Sequence, residues 1–387
     1  MSVTAPTGFV AAGVPCGIKA SGAADLALVA TADRRTVPAA GVFTSNRATA
    51  APVVVTQAHL AETGGRAAAV VINSGNANAA TGAAGRRDAE RTCALVGSEV
   101  GCRPAEVLVC STGLIGIPLP MGAIEDGVPA AAAGLRSDGG TAAADAMRTT
   151  DTVRKEVILD AGPFLVGGMA KGAAMLSPNM ATMLAVLTTD AVAAPEVLLA
   201  VLQAGVENSF NALSVDGCTS TNDTVLLLAS GARGRSDDDV LAEAVAEACA
   251  DLARQMAGDA EGATKVVDVV VTGAASSDDA RRAARRVAES QLVKCSWYGQ
   301  DPYWGRIVSE LGSSGAAFDP DLVSVTYGGI TVCRQGVAAV HDATTLGRVM
   351  ARRNLVLTAD LGLGDARATI LTNDLTHAYV DENMGTS

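Results

Sequence analysis

A chain of 387 residues, 49% hydrophobic but only 3% aromatic, is long enough to bury a sizeable core, which must be built from Ala, Val and Leu. The formal net charge of -12 argues against a nucleic-acid partner, because neutralising phosphates takes clustered Lys and Arg. The eight cysteines lack Cys-x-x-Cys spacing, no apolar run approaches the roughly 18 residues of a membrane span, and no basic, then apolar, leader opens the chain. The expectations are therefore no metal, no cofactor, no membrane and a cytoplasmic location.

In chain order, residues 26–30, 42–44, 53–55 and 68–72 read as short strands separated by Gly, Pro and polar clusters. The last runs into Asn73-Ser74-Gly75-Asn76-Ala77-Asn78, turn chemistry suited to positive φ angles at a strand end. Residues 83–100 are predicted as a helix with Ala89, Cys93 and Val96 on its apolar face. An apolar strand over 106–110 stops at Ser111-Thr112-Gly113-Leu114-Ile115-Gly116, whose N–H groups either close a structural turn or bind a developing oxyanion. A short helix over 141–147 precedes Thr149-Thr150-Asp151-Thr152, a cluster that normally satisfies its own backbone.

Strands over 155–159 and 163–166 lead through Gly167-Gly168 to Lys171. A lysine among small and apolar residues must find an anionic partner or lose its proton. Further on, the small residue Ala181 precedes Thr182, between the polar turn Ser177-Pro178-Asn179 and a buried strand expected over 182–188. A hydroxyl in that place can attack the preceding carbonyl, shift the acyl group from nitrogen to oxygen and let water finish the cut. The freed α-amine, with a pKa of about 7.7 to 8.0, then serves as the base for the same hydroxyl. The alternative is a plain turn leading into a strand.

Residues 195–206 form an expected helix with proline in its first turn, and 214–224 an expected loop with no catalytic role. Ser236 is read as the cap of a helix with Asp237, Asp238 and Asp239 in its first turn. Glu261 stands in a loop before a strand over 265–271, and 277–292 reads as one basic amphipathic helix. The chain's one concentration of aromatics lies between Trp297 and Arg306. Gly328-Gly329, between apolar runs over 323–327 and 330–333, is a hairpin signal, and 355–359 with 366–371 are expected to form a second antiparallel pair.

The block from Lys171 to Leu184, Lys-Gly-Ala-Ala-Met-Leu-Ser-Pro-Asn-Met-Ala-Thr-Met-Leu, with Val166-Gly167-Gly168-Met169-Ala170 before it and Thr188-Thr189-Asp190 after it, resembles the signature of the ornithine acetyltransferase family of arginine biosynthesis. So do the Asn73 to Asn78 loop, the Thr112-Gly113 turn, the segment from Ser214 to Thr224, Ala260-Glu261-Gly262 and Gly299-Gln300-Asp301-Pro302-Tyr303-Trp304-Gly305-Arg306, so that the likeness spans essentially the whole chain. Cys218, where an acidic residue is common, and Ala174, where glycine is common, depart from the pattern.

The resemblance implies an α/β fold, a self-processed sandwich of two stacked β-sheets flanked by helices. It also implies cleavage between Ala181 and Thr182 into chains 1–181 and 182–387, which assemble as a heterotetramer of two copies of each. Thr182 would be the nucleophile and Thr112 with Gly113 the oxyanion hole. Thr149, with Thr150 as its near neighbour, Lys171, Glu261, Asn383 and Ser387 would contact substrate, with Thr386 as the other candidate for the terminal role. The implied reaction moves acetyl from N2-acetylornithine to glutamate, with acetyl-CoA left open as a second donor. A related self-cleaving acyltransferase or aminopeptidase, and an unprocessed amino-acid-binding protein, are the alternatives.

Overall fold

Residues 2–175, 183–235 and 237–385 are described by the computed structural model. The expectations for Ser177-Pro178-Asn179, Ala181, Thr182, Ser236, Thr386 and Ser387 fall outside them. Two units result: one gathers the residues up to Asn211 together with Cys218–Met256, the other Ala212–Gly217 and the residues from Ala257 onward.

The first unit carries, in chain order, β1 (Phe9–Val14), β2 (Leu26–Thr31), β3 (Val37–Phe43), α1 (Ala51–Glu62), β4 (Arg66–Ala67), β5 (Ala69–Asn76), α2 (Gly82–Val100) and β6 (Val107–Leu114). It continues with α3 (Met121–Ala133), α4 (Gly140–Ala146), β7 (Lys155–Asp160), β8 (Leu165–Lys171), β9 (Leu184–Val192), α5 (Pro195–Glu207), β10 (Thr224–Arg235) and α6 (Asp238–Gly258). The strands form a four-stranded sheet ordered β1-β2-β5-β6 and a six-stranded sheet ordered β4-β3-β10-β9-β8-β7.

Strand alternation decides how these sheets pack. Val29, Val70, Ile72, Leu108 and Cys110 from the first sheet join Met169, Leu184, Val186, Leu226 and Leu228 from the second in one buried cluster, so the sheets stack face to face. Each fully buried Val or Leu there contributes about 1.5 to 3 kcal/mol. The opposite face of the smaller sheet, through Leu28, Val71 and Val109, packs on Cys93 and Val96 of α2 and Ile124 and Val128 of α3. On the far side of the larger sheet, a Cβ at Gly168 would meet Val157 and Leu187 at 3.0 Å and Leu252 of α6 at 3.4 Å. The expected sandwich of two sheets between helices is thus the architecture of this unit.

Val53-Val54-Val55 is not a strand, as expected, but lies in α1, with proline in the first turn. Packing overrides β-branched propensity here: Val53 and Val55 are buried, and Thr56 Oγ1 both donates to the Val109 carbonyl at 2.7 Å and accepts from the Val109 N–H at 2.8 Å.

The second unit adds a third sheet. Its elements are β11 (Val266–Ala274), α7 (Ser277–Ala288), α8 (Gln291–Tyr298), α9 (Trp304–Gly312), β12 (Ser324–Tyr327), β13 (Ile330–Arg334), β14 (Val337–Ala338), α10 (Ala343–Met350), β15 (Asn354–Asp360), β16 (Ala366–Asn373) and α11 (His377–Glu382). Its order is β14-β13-β12-β15-β11-β16. Gly328 and Gly329, with φ of 55° and 87°, make the expected hairpin.

Two expectations are corrected. The single helix over 277–292 is two helices, because Ser290 caps α8 by accepting from the Val293 N–H. Strands β15 and β16 do not pair with each other: β11 lies between them, parallel to β15 and antiparallel to β16. Val267, Val269 and Val271 are wholly buried, and a strand so apolar satisfies its backbone best in the sheet interior. No helix among the described residues is long and apolar enough to cross a membrane.

Candidate functional site

In the first unit, parallel strands β5 and β6 run together past their expected ends. β6 continues through Ser111, Thr112 and Gly113 to Leu114, with Ser74 opposite Thr112 and Gly75 opposite Gly113, and the pairing shifts register at Gly75 and Asn76. Gly113 has φ of 131°, and a Cβ there would lie 2.3 Å from the Gly75 carbonyl carbon and 2.5 Å from the Asn76 nitrogen. Only glycine fits so close an approach of two backbones.

The asparagines beside it hold main chain in place. Asn73 Nδ2 donates to the Asn76 carbonyl at 2.8 Å, Asn76 Nδ2 to the Pro118 carbonyl at 3.1 Å, and Asn78 Nδ2 to the Gly85 carbonyl at 2.9 Å. Thr112 is buried, yet its hydroxyl makes no hydrogen bond among the described residues, which leaves it able to donate to a ligand.

Asp151 organises a second cluster. Its Oδ1 accepts from Lys155 Nζ at 2.5 Å and from the Gly172 N–H at 2.7 Å, and its Oδ2 accepts from the Thr149 N–H at 3.1 Å. Lys171 Nζ lies 4.0 Å from Oδ2. One carboxylate therefore ties the Thr149 turn to the end of β8. Lys155 is completely buried and Lys171 is 3% exposed. Burial raises the Asp151 pKa, but the charges of Lys171 and Lys155 with the two donors at Oδ1 outweigh it and carry the value down to about 2. Thr149 is half-buried, whereas Thr150 is exposed.

A third feature, in the segment for which the sequence predicts no role, joins the other two. Asn222 Nδ2 donates to the carbonyls of Ala77 at 2.6 Å and Ser111 at 2.9 Å. Next to it, Asp223 Oδ1 accepts from the Met183 N–H at 2.8 Å. Burial pushes the Asp223 carboxyl well above the usual carboxylate range, against that N–H and the charge of Lys171. Leu184 then pairs with Lys171 across β8 and β9. A continuous path thus runs from Ser111, beside Thr112, through Asn222, Asp223, Met183, Leu184 and Lys171 to Asp151 and Thr149. An Asn-Asp pair in a polar loop reads as solvated turn chemistry, and only its burial reveals otherwise.

In the second unit, Asn383 Nδ2 donates to Glu261 Oε2 at 2.7 Å and to the Tyr379 carbonyl at 2.9 Å. The Glu261 turn is seated on α11: Thr376 Oγ1 donates to the Gly262 carbonyl at 2.7 Å, and a Cβ at Gly262, with φ of 64°, would lie 2.3 Å from the Tyr379 nitrogen. Glu261 also lines a cavity of about 110 Å³ with Asp216, Glu289, Lys294, Asp374 and Tyr379. Its acidic walls suit an amine. Lys294 reaches Thr372 Oγ1 at 2.9 Å, and burial lowers its pKa to about 8. Among the described residues no group of three or more His, Cys, Asp and Glu is placed to hold a metal ion.

Comparison with known proteins agrees with the resemblance. The ArgJ family model matches residues 10–385. The arginine biosynthesis bifunctional protein ArgJ of Thermobifida fusca is 49% identical over 388 residues, covering 100% of both chains. The protein of the same name from Mycobacterium tuberculosis is 48% identical over 399 residues, covering 100% of this chain and 96% of its own. Among solved structures, ornithine acetyltransferase complexed with ornithine from M. tuberculosis is 46% identical with a TM-score of 0.42, covering 46% of this chain and 94% of its own. The arginine biosynthesis bifunctional protein of Bacillus halodurans is 33% identical with a TM-score of 0.49, covering 51% of this chain and 95% of its own.

Proposed function

We propose, on the premise that the chain belongs to the ArgJ family, that it transfers the acetyl group of N2-acetylornithine to glutamate through an acetyl-threonine intermediate. It is an acyltransferase of arginine biosynthesis. In the proposed cycle the precursor first cuts itself between Ala181 and Thr182 to give chains 1–181 and 182–387. Thr182 Oγ, its proton taken by the freed α-amine, then attacks the acetyl carbonyl. Thr112 and Gly113 donate hydrogen bonds to the tetrahedral oxyanion. The nitrogen of ornithine collects the proton as the C–N bond breaks; the amine of glutamate then attacks the resulting ester and takes the acetyl group, passing a proton through the α-amine back to Thr182 Oγ as the ester bond breaks.

Lys171 and Thr149 are assigned to the substrate carboxylate, Glu261 to the substrate amine, and Asn383 with Ser387 or Thr386 to closure over it. Acetyl-CoA as a second donor fits the word bifunctional in the relatives' names. The cleaved protein is proposed to work in the cytoplasm as a heterotetramer of two chains of each kind.

The observation that carries this reading is the path of hydrogen bonds, chain neighbours and one ion pair in the first unit, which links the residue before Thr112, the residue after Thr182, Lys171 and the N–H of Thr149. Acyl transfer needs an oxyanion donor, a nucleophile and a carboxylate anchor in fixed relation, because orientation supplies much of the rate. Mass spectrometry of the wild type and Thr182→Ala, with and without N-acetylornithine, tests it. The wild type should give two chains, the shorter-numbered one unmodified and the one beginning at Thr182 gaining an acetyl group, while the variant should stay intact and unacetylated. An intact, fully active wild type would overturn the reading.

A further inference from the structure

We propose that Asn222 and Asp223 are positioning residues for acyl transfer, setting the register between the Thr112 turn and the segment that begins at Met183. The inference rests on the reading of Thr182 as nucleophile.

The geometry is specific. A single side-chain amide, Asn222 Nδ2, spans two carbonyls that belong to different strand ends, Ala77 after β5 and Ser111 within β6. The next residue, Asp223, holds the Met183 N–H, which is part of the peptide group immediately following Thr182. Thr224 N–H donates to the Met183 carbonyl at 3.2 Å, so both main-chain polar groups of Met183 are fixed from the start of β10. Asn222 and Asp223 are adjacent in the chain, so neither the oxyanion turn nor the strand after Thr182 can shift without straining the other's hydrogen bonds.

The segment holding this pair is itself braced. Thr44 Oγ1 donates to the Ser220 carbonyl at 2.7 Å, Asn46 Nδ2 to the Thr219 carbonyl at 2.9 Å, and the Thr44 N–H to the Asp223 carbonyl at 3.0 Å. Asp223 is wholly buried, and its Oδ2 accepts no hydrogen bond among the described residues. Burying a carboxyl is costly unless its oxygens are used, and the use shown for Oδ1 is the Met183 N–H. Holding the Met183 N–H in place is a reason to keep it. An amide of the same shape still presents an oxygen to the Met183 N–H, so asparagine should serve nearly as well.

The test compares full-length wild type, Asp223→Ala, Asp223→Asn and Asn222→Ala for chain cleavage, for kcat and KM with N-acetylornithine and glutamate, for pH profile and for thermal unfolding. A misplacement on the order of 1 Å costs about 10²-fold in rate. Asp223→Ala and Asn222→Ala should therefore lower kcat about 10²-fold with KM within about threefold. Asp223→Asn keeps an acceptor for Met183, so it should recover most of that loss with an unchanged pH profile. Asp223→Ala within threefold of wild type, or a loss carried by KM, would overturn the proposal. So would a folded Asp223→Asn that is inert or has lost the acidic limb of its pH profile, and this variant decides the matter if Asp223→Ala does not fold. Full activity in Asp223→Ala beside an inert Thr182→Ala refutes only this inference, whereas an active Thr182→Ala refutes the nucleophile reading.

Discussion

Asn383 donates a hydrogen bond to Glu261 at 2.7 Å, so the end of α11 and the turn before β11 share one carboxylate. Thr376 Oγ1 adds a further tie by donating to the Gly262 carbonyl, and Gly262 lies close against the Tyr379 main chain. Whatever sits against Glu261 is thereby coupled to the placement of the C-terminal helix. The second Glu261 oxygen takes no part in this bond, and the residue lines the cavity.

Glu261→Gln preserves an acceptor for Asn383 but removes the charge. A hydrogen bond to a charged group contributes about 1.5 to 3 kcal/mol, which is roughly 10- to 150-fold in affinity. The KM for N-acetylornithine should rise by that order while the melting temperature stays within about 2 °C, because the amide has the shape of the carboxyl and keeps the Asn383 bond. Steady-state kinetics and thermal unfolding on the same preparation check it; a lost melting transition with unchanged KM would make Glu261 structural only.

Thr112→Val and Gly113→Ala separate chemistry from architecture. The Thr112 hydroxyl makes no hydrogen bond among the described residues, so valine removes a donor without breaking a bond to any of them. Its kcat should fall on the order of 10²- to 10³-fold with the melting temperature preserved. At Gly113 an added methyl strikes the Gly75 and Asn76 backbone, so alanine should destabilise by more than about 1 kcal/mol as well as slow turnover. Hydrogen exchange over residues 73–78 would report the second effect and remain unchanged for the first.

Asp151 predicts an acid limb in stability. Its folded pKa of about 2 lies below the ordinary 3.8, so the ionised form is the one that folding favours. The contribution is complete above about pH 4 and is lost as pH falls toward 2, about 2 kcal/mol in all. The stability difference between wild type and Asp151→Asn should shrink across that window. At neutral pH the variant should lose roughly 3 to 5 kcal/mol, because two buried ammonium groups no longer have this carboxylate beside them. Urea unfolding at pH 7, 4 and 2.5 measures both; a constant difference would mean that Asp151 is not held ionised by its lysines.

How much of this was legible depends on whether the cause is local. The stripe Ala89, Cys93 and Val96 repeats at helical spacing and needs no partner to be read, and Gly328-Gly329 carries its own positive φ angles. Lys171 announces itself as a charge among small residues, but Asp151, its neighbour in space, sits 20 positions earlier in what reads as a solvated turn. The strand β10 was invisible because Val225-Leu226-Leu227-Leu228 has no period; its identity comes from β3 and β9 on either side. Burial of Asp223 at the head of that strand follows from the same distant pairings, so no local pattern could mark it. Val53-Val54-Val55 failed for the converse reason, a clear local preference overruled by contact with β6.

Lys294 supplies an alkaline counterpart in the second unit. Burial lowers its folded pKa from 10.5 to about 8, although Asp216, Asp374 and Glu289 pull it the other way. Between these two values the unfolded chain binds the proton that the folded chain has released, so raising pH favours folding across the window from about 8 to 10.5. Below pH 8 both states carry the charge and the cost of burying it is constant. Other lysines and tyrosines titrate in the same range, so the informative quantity is the stability of wild type minus that of Lys294→Met. That difference should rise with pH through the window and stay flat between pH 6 and about 7.5. Thermal unfolding at pH 7, 8.5 and 10 resolves it. A difference that falls with pH would show that the surrounding carboxylates, and not desolvation, govern Lys294.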